Sequence, residues 1–249
     1  MNPLSAVRTL RFLCFLCFSV TTSHIYAAAS DDFPVPALAS DASSSSDIAN
    51  LGSNWKLIRT DHFHNIKLYL RKDSSFRVYV IRLTTVFDAP LRSIAAAVMD
   101  VSDMPEWIWH LRSADLVKTP GPHDIIIHLV ISSPYGIEDR DAVIHTHVEQ
   151  DPKTKVLRLT STTVDGYVPV EPPLVRMARL QMDWTFTPRP DGKVDAELIG
   201  VIDPGGRIPA WTANIIQKSS LYYSIRNLMH VVREDRFAQP KVPFKVDDQ

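Results

Sequence analysis

The sequence predicts an α+β fold, a curved antiparallel β-sheet around one long C-terminal helix, and three features predict it. Several stretches alternate apolar and polar residues with period two; Ala178, Leu180, Met182, Trp184 and Phe186 against Arg179, Gln181, Asp183, Thr185 and Thr187 is the cleanest. These stretches follow one another through short polar turns, and strands joined that way pair antiparallel. The segment from Pro209 to Val232 then changes to helical spacing. Steps of four and three from Trp211 give Ile215, Lys218, Tyr222, Ile225, Met229 and Val232, apolar except at Lys218.

Residues 1–29 read as a secretory signal peptide, because Arg8 and Arg11 precede the apolar run Phe12 to Val20 and the small residues Ala27, Ala28 and Ala29 follow. That run is too short to span a bilayer. The expected location is the periplasm or the cell exterior. Cys14 and Cys17 both fall in this segment, so their C-x-x-C spacing is neither a redox nor a metal motif and the mature chain has no cysteine. Residues 30–52, rich in Ser, Ala and Asp with four consecutive serines at 43–46, read as a flexible linker. Residues 53–236 fit one domain and residues 237–249 a C-terminal tail. Without Arg8 and Arg11, 25 basic side chains face 28 acidic ones, a net charge of −3. Such a balance argues against a nucleic-acid partner.

Within the domain, Trp55 to Phe63 reads as a short helix. Ile66–Lys72 and Arg77–Thr84 read as a hairpin about Asp73-Ser74-Ser75. Pro90 starts a helix through Met99, and Asp103 is placed to cap a second, with Pro105 in its first turn. Then Ile125, Ile127, Leu129 and Ile131 share one strand face, and Ala142, Ile144, Thr146 and Val148 share the next. Asp151 to Lys155 turns the chain into Val156–Thr163, and Pro188 to Gly192 turns it into Val194–Ile202. Asp203-Pro204-Gly205-Gly206 reads as a sharp turn and a hinge into the last helix. Many inward positions are slim, namely Ala142, Thr146, Ser161, Ala196 and Gly200, which favours a cavity between sheet and helix.

Taken in order, Trp55, Asp100, Met104-Pro105-Glu106-Trp107, Arg140-Asp141-Ala142-Val143, Val175-Arg176, Trp184, Pro188, Gly192 and Asp203-Pro204-Gly205-Gly206-Arg207-Ile208-Pro209-Ala210-Trp211 resemble the steroidogenic-acute-regulatory-related lipid-transfer (START) domains. The resemblance spans nearly the whole of residues 53–236. It implies a helix-grip fold in which the C-terminal helix is the lid over a tunnel for one lipid or other apolar molecule. No cofactor and no metal are implied. Members that carry phosphatidylcholine resemble one another in an Arg and an Asp flanking the Trp matched by Trp107; the aligned residues here are Met104 and Ile108. Sterol carriers resemble one another in a buried acid and base that align with Leu129 and Thr146. Both polar handles are missing, so the resemblance implies a ligand class and no particular ligand. Burying roughly 16 methylenes at ~0.8 kcal/mol each is worth on the order of 13 kcal/mol, enough without a strong polar bond.

The candidate ligand contacts from the strands and the helical insert are Trp107, Ile127, Leu129, Ile144, Thr146, Leu180, Met182, Trp184 and Leu198. Those from the last helix are Trp211, Ile215, Tyr222, Ile225 and Met229, with Trp109 and Tyr223 as further aromatic candidates. Arg140, Asp141, Asp203, Gly205, Gly206 and Pro209 are assigned to the structural motif. Arg140 and Asp141, adjacent on a strand, point to opposite faces, so Arg140 is expected to pair with Asp139, Glu138 or Asp203. His128, His145 and His147 have zinc-like spacing but oppose the apolar face and read as solvated. No G-x-S-x-G or glycine-rich phosphate loop occurs. The resulting expectation is a monomeric, non-enzymatic lipid binder with transient membrane contact. The alternative is a helix-grip cyclase or hydrolase using Thr146, Ser161 or Tyr222. The gate is the last helix, or the loops at Gly121-Pro122 and Pro134-Tyr135-Gly136.

Overall fold

The computed structural model describes residues 54–134, 136–238 and 242–248. The expected signal peptide and the linker that follows it lie outside the described residues. Three strands open the domain, β1 (Lys56–Asp61), β2 (Ile66–Arg71) and β3 (Val80–Phe87). Helix α1 (Leu91–Met99), a 3₁₀ turn at Val101–Asp103 and the short helix α2 (Met104–Trp107) follow. Then come β4 (Leu111–Gly121), β5 (Asp124–Ile131), β6 (Arg140–Gln150), β7 (Leu157–Thr163), β8 (Val175–Arg176), β9 (Arg179–Pro188) and β10 (Val194–Asp203). Helix α3 (Ala210–Val231) and a 3₁₀ turn at Asp235–Phe237 complete the order. The strands form one curved, mostly antiparallel sheet in the order β1-β2-β3-β10-β9-β7-β6-β5-β4, with two-residue β8 beside β6 in parallel. This is the helix-grip arrangement: α3 lies in the sheet's concave face, on the core that also takes Phe87, Phe186, Ile94 and Ile127.

Both edges of the sheet differ from the sequence expectation. Trp55 to Phe63 is not a helix: Lys56–Asp61 pairs with β2 from Asp61↔Ile66 to Lys56↔Leu70, with a bulge between Leu57 and Arg59. Nearly every residue of β1 is exposed, so the segment carries no period-two pattern; what makes it a strand is the open edge of β2. β4 was not expected at all. It too is an edge strand, bulged three times and containing Pro120, as an edge tolerates. The second strand of the first hairpin begins at Val80 instead of Arg77, because β2 ends at Arg71, opposite Val80, and Phe76 N bonds Asp73 O in the connecting turn. Asp103 does not cap α2; its carboxylate pairs with Arg236 at 2.8 Å, and Asp100 accepts from Ser102 N instead.

Helix α3 is 22 residues, ~33 Å at 1.5 Å per residue. Its inward face matches the stripe the spacing suggested only in its second half, where Tyr222, Ile225 and Val232 are buried. Ala213, Gln217, Leu221, Ser224, Ile225, Leu228 and Val231 are buried, whereas Trp211 is 68% and Ile215 45% exposed. The true face contains Gln217 and Ser224, and these polar residues hide it from a count of apolar ones. Gln217 explains why it is polar. The last β3–β10 ladder pair is Ile81↔Gly200, and continuing the register would set Tyr79 opposite Ile202. The strands part there and Gln217 fills the gap: its Nε2 donates to Tyr79 O (3.0 Å), and its Oε1 accepts from Ile202 N (3.3 Å). Asn214 Oδ1 accepts from Tyr79 N at 2.9 Å, and Arg77 bridges Asp203 and the carbonyl of Ile208.

Replacing Gln217 with alanine strands the part-buried carbonyl of Tyr79 and the part-buried N–H of Ile202, each costing up to ~1–3 kcal/mol. Urea unfolding of Gln217→Ala is therefore expected to show a loss of roughly 2–4 kcal/mol. A loss under ~0.5 kcal/mol, the scale of an ordinary surface change, would mean the amide does not hold the splayed strands.

Candidate ligand cavity

A cavity of about 150 Å³ lies between the concave face of the sheet and α3. Alternate residues of the strands face it: Leu129 and Ile131 from β5, Ile144 and Thr146 from β6, Leu159 and Ser161 from β7, Leu180, Met182 and Trp184 from β9, and Ile202 from β10. The roof is Ala213, Ile216, Gln217, Ser220, Leu221, Ser224 and Ile225 of α3, and Met104, Trp107 and Ile108 close the side under α2. Trp184 is held by stacking on Phe186, with centroids 5.4 Å apart. Thr146 and Ser161 hydroxyls bond each other at 2.9 Å. The indole N–H of Trp107 is buried without an acceptor among the described residues.

Of the candidate contacts, Trp107, Leu129, Ile144, Thr146, Leu180, Met182, Trp184 and Ile225 line the cavity, as does Trp109. Ile127 and Leu198 are fully buried in the adjoining core, and Met229 packs at its border. Tyr222 is turned toward β1, where its hydroxyl donates to Asp61 at 2.6 Å beneath the guanidinium of Arg59. That bond, with those from His64, holds the Asp61 carboxyl well below the usual range. Tyr223 stacks on Trp109 at 5.9 Å. Sequence reasoning missed Leu159, which alternates with Ser161, and Ile202, which alternates with Leu198. It also missed the Ala213, Gln217, Leu221 face.

Both sheet edges grip the helix. On the β1 side the contact is Tyr222 to Asp61. On the β4 side Trp109 N donates to Ser224 Oγ (2.9 Å) and Asn227 Nδ2 to the carbonyl of Trp107 (3.3 Å). Ser132, Ser133 and Pro134 line the rim where β5 ends, whereas Gly121 closes the opposite end of the β4–β5 hairpin and does not face it. Tyr135 lies outside the described residues.

Arg140 and Asp141 do point apart. Asp141 is buried on the outer face, where Arg176 bonds both of its oxygens (3.0 and 2.8 Å) and His128 Nε2 lies 3.0 Å from Oδ2. Burial pushes the carboxyl up, but the bonds from Arg176 and His128 outweigh it and hold it below its ordinary value. Arg140 points inward, and the expected partner carboxylates are largely engaged elsewhere. Asp203 binds Arg77, Asp139, whose charge also reaches Arg140, binds Arg112 and Ser133 N, and the exposed Glu138 stands at 3.8 Å. Gly205 and Gly206 are in the left-handed region, with φ of +65° and +64°. A Cβ on Gly205 would stand 3.1 Å from Ala178 N. Asp203 Oδ1 accepts from Gly205 N, so the expected hinge is a packed turn. Pro209 immediately precedes the first turn of α3. His145 and His147 both bond one oxygen of Asp124, at 2.8 and 2.9 Å.

Comparison with known proteins agrees with this geometry. Residues 37–236 match the START domain family. An uncharacterized protein of Pseudomonas aeruginosa is 28% identical over 164 residues, 66% of this chain and 79% of its own. The crystal structure of a STAR-related lipid transfer protein fragment from Xanthomonas axonopodis superposes with a TM-score of 0.67 at 23% identity, covering 73% of this chain and all of that one. Human StAR-related lipid transfer protein 5 gives 0.69 at 16% identity, covering 77% and 92%. At these identities the two structures establish the fold.

Asp141 makes a test of the motif's role. Its depressed pKa means that the stabilisation is present above the unfolded value near 4 and is lost as pH falls through the lower folded value. Asp141→Asn leaves Arg176 facing a neutral amide and is expected to cost roughly 3–5 kcal/mol at pH 7. The gap to wild type should narrow below pH 4. A gap that is constant from pH 7 to pH 3 would contradict an ionic role.

Proposed function

The chain belongs to the START domain family, and from that premise we propose that it binds a lipid or other apolar small molecule, chemically unchanged, in the cavity under α3. The observation that carries this reading is the lining itself. Among the described residues around the cavity, only Arg140 and His110 are titratable, and no carboxylate, cysteine or tyrosine joins them. His110 is exposed at the rim. A hydrolase or cyclase needs an inward acid, base or activated nucleophile. Thr146 and Ser161 bond each other, and Tyr222 bonds Asp61 on the other side of the helix.

The cavity is smaller than the roughly 300–1,000 Å³ of ordinary small-molecule sites, so a lipid chain enters by enlarging it. The moving part in this reading is α3. Its edge attachments are two neutral hydrogen bonds of ~1 kcal/mol net on the β4 side and one to the Asp61 carboxylate of ~1.5–3 kcal/mol on the β1 side, whereas ten buried methylenes at ~0.8 kcal/mol each return about 8 kcal/mol. An apolar wall separates chain lengths by only ~1–3 kcal/mol per methylene, so selection by length is broad. The protein acts as a monomer in the periplasm or outside the cell, and loads during transient contact with a membrane.

Native mass spectrometry of the purified protein, before and after incubation with lipid vesicles, tests the binding. An apolar compound that co-purifies or loads supports the reading; none in either case refutes it. The gate is tested with a disulfide from Trp109→Cys and Ser224→Cys, whose backbone N and Oγ are 2.9 Å apart, in the chain without residues 1–29 and hence without competing thiols. The oxidised protein is expected to retain its lipid and exchange it at least tenfold more slowly than the reduced protein. Equal rates would exclude α3 as the gate.

A further inference from the structure

One wall of this apolar cavity carries a charge that the fold leaves short of partners. Arg140 is 2% exposed and lines the cavity. Of its five N–H donors, Nε donates to the carbonyl of Pro204 (3.3 Å) and one on Nη1 to the carbonyl of Glu138. The other N–H of Nη1 and both of Nη2 have no acceptor among the described residues. Nη2 lies against Gly206, where a Cβ would stand 3.0 Å away, so the left-handed glycine keeps room beside the guanidinium. The approaching carboxylate, on Glu138, is 66% exposed at 3.8 Å and contributes little in water. A guanidinium buried this way is costly unless an anion completes it.

Other features at the cavity favour the same kind of partner. The N-terminus of α3 follows directly on Pro204, Gly206 and Ile208, with no side-chain cap and no acid in its first turn, so its positive end is uncompensated. Ser132 and Ser133 line the same rim, beyond the Ile131↔Arg140 pair of the ladder. The second spare polar group in the lining, Trp107 Nε1, is also a donor. An acceptor-only head group matches such a lining, and the small volume favours one chain over two.

Building on the lipid-binding reading above, we infer that the cavity takes a single-chain amphiphile with an anionic head, a fatty carboxylate, which Arg140 binds through its spare N–H groups beside the start of α3 while the chain runs toward Trp184 and Leu221. A planar carboxylate fits the fork of a guanidinium with two parallel bonds. The chain supplies most of the affinity and Arg140 the choice of head.

The test is calorimetric titration of the purified protein at pH 8 with decanoate, decan-1-ol, decyl phosphate and acetate. Decanoate is expected to bind at least tenfold more tightly than decan-1-ol, because its head makes a charge-assisted bond, and acetate to bind far more weakly than either. Arg140→Gln should abolish the preference for decanoate over decan-1-ol, and Arg140→Lys should keep part of it. Equal binding of decanoate and decan-1-ol by the wild type would overturn the head-group assignment and leave the cavity reading standing. Tighter binding of decyl phosphate than of decanoate would overturn the choice of carboxylate, and acetate binding as tightly as decanoate would make this a free-anion site. Failure of all the ten-carbon probes to bind would instead refute the lipid-binding reading itself. If Arg140→Gln does not fold, carbon-13 NMR of carboxyl-labelled decanoate decides on the wild type. The bound carboxyl should titrate at lower pH than the free acid; a bound value unmoved or raised would contradict the pairing.

Discussion

The buried amide of Gln217 sets the terms for the rest of the molecule. An antiparallel ladder cannot simply stop inside a protein, since each unpaired N–H or C=O costs as much as a lost hydrogen bond. Where β3 and β10 separate, Gln217 and Asn214 supply the missing partners from the helix, and Arg77 ties the same gap to Asp203 and Ile208. The sheet therefore opens toward α3 without stranding its backbone. Both outer strands then reach the helix, β1 through Asp61 and Tyr222, the β4 side through Trp109 and Ser224. A helix held at its margins and pinned near its start need not press its whole length into the sheet. The slim pair Thr146 and Ser161 lines the cavity between them.

This arrangement separates two tasks. In the proposed function, affinity comes from apolar walls, which accept chains of different length with little discrimination. Any sharper choice must come from a polar group, and the wall offers one buried cation whose neighbours Asp139, Asp141 and Asp203 each serve another base. The Arg140-Asp141 dipeptide places one charge on each face of the same strand. Asp141 locks the outer face through Arg176 and His128, and Arg140 is carried to the inner one.

Much of this was legible in the residues. The alternation from Ala178 to Phe186 identified β9 and the inward side of Leu180, Met182 and Trp184, because one face of that strand is apolar and the other polar. β1 and β4 left no such trace: edge strands with exposed side chains are specified by the neighbour they complete. The last helix was found as a helix and its face only in part: Tyr222 and Ile225 are buried as expected, but the cavity side carries Gln217, Ser220 and Ser224, while Trp211 and Ile215 face solvent. Polar residues turned inward to satisfy backbone and cavity defeat a search for an apolar stripe. The motif around Arg140 was readable as a motif, but its unused donors depend on where Asp139 and Asp203 spend their charges, which only the fold decides.

In the proposed function, the space under α3 opens to enclose an apolar chain. A crystal structure of the protein grown with decanoate tests it most directly. The account predicts continuous ligand density from the guanidinium of Arg140 to the faces of Trp184 and Leu221, within a cavity larger than the present 150 Å³. An unchanged, empty cavity with decanoate bound on the outside of the sheet would contradict it.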